Sequence, residues 1–202
     1  MYNSNTYVCE IGNKVLIIDS GATLDDVVAA VGKKSVAAIL VTHEHFDHLT
    51  NCVTYALHFK TPVYGTREVL DNLKYYREQL PSAEEAGVYY PIVGFNDAVE
   101  FKIIADEQPL ALAGIKVQPY ICQGHSAGSV VYQIGDALFT GDLLFSRGVG
   151  NIFMTNGKRY LLESLARVQA LKFGTAYHGH GEPSAYQDQL KNIQVWLKWL
   201  AR

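Results

Sequence analysis

The sequence predicts an α/β protein, two sheets packed face to face with helices over their outer faces. Two observations lead to this class. Short apolar runs of strand length alternate with segments of helical period, and each half of the chain offers several strands followed by helices. No linker or low-complexity stretch interrupts the alternation. At 202 residues the chain is about one domain long, so residues 1–202 are expected to form a single domain with a substantial core. Loops at one edge of such sheets would carry the chemistry.

The elements follow in order. The runs TYVCEI and VLIID meet at Gly12-Asn13, a turn-forming dipeptide, and predict a hairpin. The period then changes. Thr23 can cap a helix in which Leu24, Val27, Val28 and Val31 share a face, and Gly32 ends it. SVAAILV is a short apolar run of strand length. A second helix is expected from about His48 to Phe59, stopped by Thr61-Pro62, and a third from Thr66 to Leu80, stopped by Pro81. The tract EEAGVYYPIVGFND reads as loop. In the second half AVEFKII, IKVQPYI, SVVYQIG and ALFTGD read as consecutive strands, punctuated by Gly, Pro and Asp. Two helices close the chain, Tyr160 to Leu171 and Ala185 to Leu200, the latter with Leu190, Ile193, Leu197 and Leu200 on one face.

Bulk properties narrow the partners. Lys and Arg total 17 against 20 for Asp and Glu, an acidic balance that speaks against nucleic acid and anionic membranes and for a small-molecule substrate. The apolar runs fall far short of the roughly 20 residues a membrane helix needs. No basic start followed by an apolar stretch opens the chain, so a cytoplasmic protein is expected, as monomer or homodimer. Cys9, Cys52 and Cys122 are odd in number, widely spaced and in apolar contexts, which favours reduced, buried thiols over disulfides or a cysteine metal site.

The stretch VTHEHFDHLTN, directly after SVAAILV, places His43, His45, Asp47 and His48 within six positions. At a strand end His43 and His45 project to the same side, and Asp47 and His48 follow as the chain turns into a helix. Four such groups held together without a cation would desolvate imidazoles beside one another, so a divalent ion is their natural partner. A capped helix start with solvated histidines is the plainer alternative. The remaining histidines are His125 in CQGHSAGS, His178 and His180 in YHGHGEP, and His58, which stands apart in the second helix and reads as a surface or packing residue. Asp142 ends the strand ALFTGD and could by composition alone be a turn residue. Spacing does not choose between His178 and His180.

The motifs THEHFDH, GHSAGS, FTGD and GHG, in that order and preceded by LIIDSG, resemble the metallo-β-lactamase superfamily, from about Val15 to Glu182. The resemblance implies a four-layer αβ/βα sandwich with a two-metal site. It implies that His43, His45 and His125 hold one ion, that Asp47, His48 and His180 hold the second, and that Asp142 bridges them. His178 is then left outside the ligand set, and Asp19 supports the ligand loops. Imidazole-rich ligation with carboxylates suits zinc, with iron and manganese the alternatives. His45 stands where related diiron oxygen reductases carry Glu, which argues against that redox chemistry.

The implied reaction is metal-assisted hydrolysis by a metal-bridging hydroxide, with Asp47 orienting the nucleophile and passing a proton to the leaving group. Ser126 and Ser129 read as turn and strand-start residues. The segment GDLLFSRGVGNI resembles the glyoxalase II-like branch, which hydrolyses hydroxyacyl-glutathione thioesters. That branch commonly has Lys or Arg where Asn151 stands, and its larger members carry a further helical domain after the point where this chain ends, so a small thioester or ester is expected without a glutathione clamp. Arg147 is a nearby loop cation. A lactonase or β-lactamase-like hydrolase and a mononuclear iron persulfide dioxygenase are the alternatives. Residues 66–96, with Tyr75, Tyr76, Tyr89 and Tyr90, suggest a lid or a dimer contact.

Overall fold

The computed structural model describes residues 4–85 and 96–201. The chain divides into two compact units, with the boundary between Ala105 and Asp106. No helix of the described residues is long and apolar enough to cross a membrane.

The first unit carries a five-stranded sheet in the order β1-β2-β3-β4-β5. β1 (Tyr7–Ile11) and β2 (Lys14–Ile18) form the expected hairpin, with Gly12 at φ 59° in the turn. β3 (Ser35–Leu40), β4 (Val63–Gly65) and β5 (Phe101–Ile103) then add in parallel. Strand alternation places Val15, Ile17 and Ile39 in one apolar cluster with helical residues Val27, Val53, Val69 and Leu73. Leu16, Ile18 and Leu40 point the other way and are also fully buried. Both faces of these strands are therefore apolar, which is why VLII and AAIL read as unbroken runs.

Helix α1 (Leu24–Val31) is capped as expected: Thr23 Oγ1 accepts from the Asp26 N–H at 3.3 Å, and Gly32 takes φ 59° at the end. Val27 and Val31 bury, whereas Val28, expected on the same face, is exposed. It lies 100° further round than Val27, and the sheet covers a narrower stripe.

The expected helix from His48 to Phe59 is two helices, α2 (Phe46–Leu49) and α3 (Cys52–Phe59). The break has a local cause. The Asn51 N–H donates to the Ser20 carbonyl at 3.1 Å rather than back along its own helix, and its side-chain amide donates to the Ser20 and Ala22 carbonyls at 3.2 and 2.7 Å. Three hydrogen bonds to the loop after β2 outweigh one intrahelical bond.

Helix α4 (Arg67–Glu85) runs past Pro81, contrary to the expected stop. Proline lacks the N–H that would bond to the Arg77 carbonyl, so the helix continues past Pro81 with that one hydrogen bond missing. The tract 86–95, including Tyr89 and Tyr90, lies outside the described residues, so of the tyrosine-rich segment only Tyr75 and Tyr76 can be placed. Tyr75 is exposed, Tyr76 packs on the apolar cluster, and their rings meet edge to face at 5.9 Å.

The second unit carries a six-stranded sheet in the order β13-β12-β9-β8-β7-β6. β6 (Leu110–Leu112), β7 (Ile115–Ile121), β8 (Val130–Ile134) and β9 (Ala137–Gly141) form an antiparallel meander. β12 (Thr175–His178) joins β9 in parallel, and β13 (Ser184–Ala185) closes the edge. A short pair, β10 (Leu144–Phe145) and β11 (Gly148–Val149), follows β9. β4, β6 and β12 are too short or too mixed in polarity to be anticipated. Helices α5 (Gly157–Gln169) and α6 (Tyr186–Leu200) supply Leu161, Leu165, Val168, Ile193 and Leu200 to a cluster with Cys122, Val131 and Leu138. AVEFKII departs from expectation in its place: β5 pairs with β4 in the first unit, not with the strands that follow it.

All three cysteines are free, Cys52 and Cys122 buried and Cys9 half-buried.

Candidate functional site

The first unit assembles its donors on one loop. β3 ends at Leu40, the Val41 N–H donates to the Tyr64 carbonyl at 2.9 Å, and the chain from Thr42 to His45 then turns into α2. His43 and His48 are buried, and their ring centroids lie 4.0 Å apart. His43 Nε2 lies 3.1 Å from His45 Nδ1, so these two rings face each other through different nitrogens. Asp47 Oδ2 is 3.7 Å from His48 Nε2.

Asp19 organises this loop. It follows β2 in the left-handed conformation, φ 57°, which aspartate tolerates better than most residues. The turn aims its carboxylate at three groups: the Thr42 N–H at 2.7 Å, the Thr42 hydroxyl at 2.8 Å and His48 Nδ1 at 2.7 Å. A carboxylate accepts, so Nδ1 of His48 carries the proton and Nε2 presents its lone pair beside Asp47. Main-chain carbonyls of the same loop are held too. Ser4 donates to the Asp47 carbonyl at 2.9 Å, and Ser20 donates to that of His48 at 2.7 Å. Gly21 is required here, because a Cβ on it would fall 2.3 Å from the Ser4 carbonyl oxygen.

The second unit gathers its donors from three separate segments. β9 and β12 are parallel neighbours in register through His178 and Gly141, and the Gly179 N–H donates to the Gly141 carbonyl at 2.8 Å. Their ends set His180 Nε2 3.4 Å from Asp142 Oδ2. From the loop after β7, His125 brings Nε2 to 3.7 Å from the same oxygen. The His125 Nδ1 donates to the Asn151 main-chain carbonyl at 2.7 Å, and since a carbonyl only accepts, Nε2 again presents its lone pair. The Phe153 N–H returns to the His125 carbonyl at 3.1 Å, strapping this loop to the histidine.

His178 differs from its neighbour. It is fully buried, with Nδ1 2.9 Å from the Thr140 hydroxyl and Nε2 2.7 Å from the Ser184 hydroxyl. Burial pushes its pKa down to about 4, against the opposing effect of a hydrogen bond to the Leu144 backbone. A neutral imidazole bonded at both nitrogens is a packed core group. Ser126 and Ser129 bond each other at 2.8 Å, as turn residues do. His58 and Arg147 are exposed.

Three contributors escape sequence reasoning. Thr42 is hidden because its role depends on Asp19, 23 positions away. Asn151 acts through its backbone, which no residue type reveals. Gly150 is required because a Cβ there would fall 1.9 Å from the Asp142 carbonyl oxygen and 2.7 Å from His125 Nδ1. Its glycine in GVGN is the one available signal.

His43, His45, Asp47 and His48 in one unit, and His125, Asp142 and His180 in the other, are candidate ligands for a metal ion. Imidazoles with fixed tautomers beside carboxylates are the donor set a borderline divalent cation prefers, so the residues fit one. The sequence matches the model of the metallo-beta-lactamase superfamily over residues 2–180. The chain belongs to that superfamily.

As a superfamily member it resembles several curated hydroxyacylglutathione hydrolases. That of Shewanella sp. (strain ANA-3) is 33% identical over 125 residues, covering 59% of this chain and 39% of the relative. That of Nitrosomonas eutropha is 29% identical over 171 residues, covering 83% of this chain and 57% of the relative. The match thus spans about half the length of these relatives, or less. Among solved structures, the B3 metallo-beta-lactamase BLEG-1 has a TM-score of 0.77 at 24% identity, covering 96% of this chain and 94% of that one. This likeness establishes the expected α/β metallo-β-lactamase fold.

Proposed function

We propose that the protein is a metal-dependent hydrolase of a small thioester or ester, working with two divalent cations, zinc by preference. The observation that carries this is the fixed tautomer of two histidines. His48 is set by Asp19 and His125 by the Asn151 carbonyl, and each presents Nε2 beside a carboxylate oxygen. Hydrogen bonds to the far nitrogen are how proteins orient metal-binding histidines, and here both are already made.

In this reading His43, His45 and His125 hold one ion, Asp47, His48 and His180 the other, and Asp142 serves both. Bound divalent ions would supply Lewis acidity and lower the pKa of a water toward neutrality. Asp47 is half-buried, with its own carbonyl pinned by Ser4, so its carboxylate can orient the nucleophile and return the proton to the leaving group. Superfamily membership and the named hydrolases support the reaction class. Asn151 stands where the resembled glyoxalase II-like branch commonly has Lys or Arg, which supports small thioesters and esters generally over a glutathione-specific substrate.

Elemental analysis joined to a panel of thioesters, lactones and persulfides tests the proposal. Two tightly held zinc ions and thioester turnover are expected. A single iron with oxygen consumption on persulfides would replace this reading with an oxidative one.

A further inference from the structure

Helix α4 carries Val69, Leu73 and Tyr76 on its inward stripe, at the i, i+4, i+7 spacing of a face packed on a sheet, and all three join the apolar cluster of the first unit. Asn72 lies on the same stripe and is half-buried. A polar amide in that position needs a partner. It has one: Asn72 Nδ2 donates to the main-chain carbonyl of Glu44 at 2.7 Å. Glu44 is the residue between His43 and His45. Its carbonyl direction fixes the peptide plane that leads into His45.

We propose that Asn72 is a positioning residue for the His43–His45 pair, holding the loop so that His45 can ligate through Nδ1; the inference rests on the metal-dependent reading above. The geometry explains why that loop needs a tether. His43 faces its neighbour through Nε2, at the far end of its ring, whereas His45 does so through Nδ1, the ring nitrogen nearer the backbone. A ligand atom close to the main chain leaves less side-chain rotation to absorb a backbone shift, so an error in the Glu44 peptide reaches the ion almost undiminished. Asp19, Ser4 and Ser20 secure the loop at Thr42, Asp47 and His48. Asn72 reaches the peptide between the first two histidines from α4. It also ties that peptide to a helix whose other inward residues are locked in the core, so the tether is rigid.

Asn72→Asp keeps the shape and replaces the donating amide with an oxygen aimed at the Glu44 carbonyl; Asn72→Leu removes the polar group altogether. Chelator competition on metal-loaded protein is expected to strip one ion about 10- to 100-fold more readily from both variants, with the second ion retained. Asn72→Gln, which keeps an amide on a longer arm, is expected to fall between. In the metal-free protein, hydrogen exchange at the His45 amide is expected to rise in Asn72→Asp while core amides of β2 and β3 are unchanged. Wild-type chelator resistance in both variants, or exchange that rises equally in loop and core, would overturn the assignment. Should the wild type bind no ion, the metal-dependent reading fails by itself, and the His45 exchange alone then decides whether Asn72 tethers the loop.

Discussion

The two units present metal-capable donors in opposite ways. The first packs His43, His45, Asp47 and His48 into one turn between β3 and α2, whereas the second draws His125, Asp142 and His180 from three segments up to 55 residues apart, the span from His125 to His180. Their supports differ in kind as well. His48 is oriented by the charged Asp19, and His125 by an uncharged backbone carbonyl of Asn151. A contiguous donor set is positioned by its own loop and a few anchors, so it tolerates change elsewhere. A dispersed set depends on strand register, and on backbone contacts that any nearby Cβ can disturb.

The largest effect is expected where the dispersed set converges. Asp142 Oδ2 faces both His125 and His180, at 3.7 and 3.4 Å. Asp142→Asn keeps the shape and removes the charge, and is expected to cut hydrolysis at least about a hundredfold, with a matching loss of bound metal by elemental analysis. An active, fully loaded variant would show that the Asp142 carboxylate is not a ligand the metal site needs. Gly150→Ala probes the same unit without replacing a donor, although its added methyl would press on the Asp142 carbonyl and on His125 Nδ1. The added methyl meets backbone, so the loop must move, and the Asn151 carbonyl moves with it. A stability loss of about 1–3 kcal/mol in thermal melts is expected, together with a roughly 10- to 100-fold drop in metal affinity. Loss of stability with metal affinity intact would mean that the His125 tautomer is held by something other than this strap.

The same contrast governs what the sequence reveals. H-x-H-x-D-H after an apolar strand is legible from chemistry, because so many imidazoles within one turn have few other uses. His125, Asp142 and His180 become candidates only through the order of their motifs, since a lone glycine-flanked histidine or a strand-ending aspartate has ordinary alternatives. Most strands and helices are legible from periodicity. The division of α2 from α3 is not, because it is decided by Asn51 bonding to Ser20 and Ala22, nearly 30 residues earlier. Nor is the pairing of β5 with β4: apolar pattern identifies a strand and leaves its neighbours open.

The smallest expected effect concerns activity least and the comparison most. Each unit holds one buried cysteine in its apolar cluster, Cys52 in the first and Cys122 in the second. Burial pushes both thiols up to about 12, with Asp19 adding to the shift at Cys52 and Arg167 opposing it at Cys122. At pH 8 the closed-state thiols stay protonated, and neither is exposed. Alkylation must therefore proceed through opened states, and its rate at each cysteine measures the opening of the unit around it. Residues 1–202 were expected to form one domain. If they open as one, Cys52 and Cys122 label at the same rate, set by global unfolding, and half-buried Cys9 labels faster than either. Removal of metal then raises both rates equally, because anything that binds only the folded state stabilises the whole cooperative unit. Unequal rates would instead identify two cooperative units, and the one whose rate responds more to metal is the one whose donors need the ion to stay assembled.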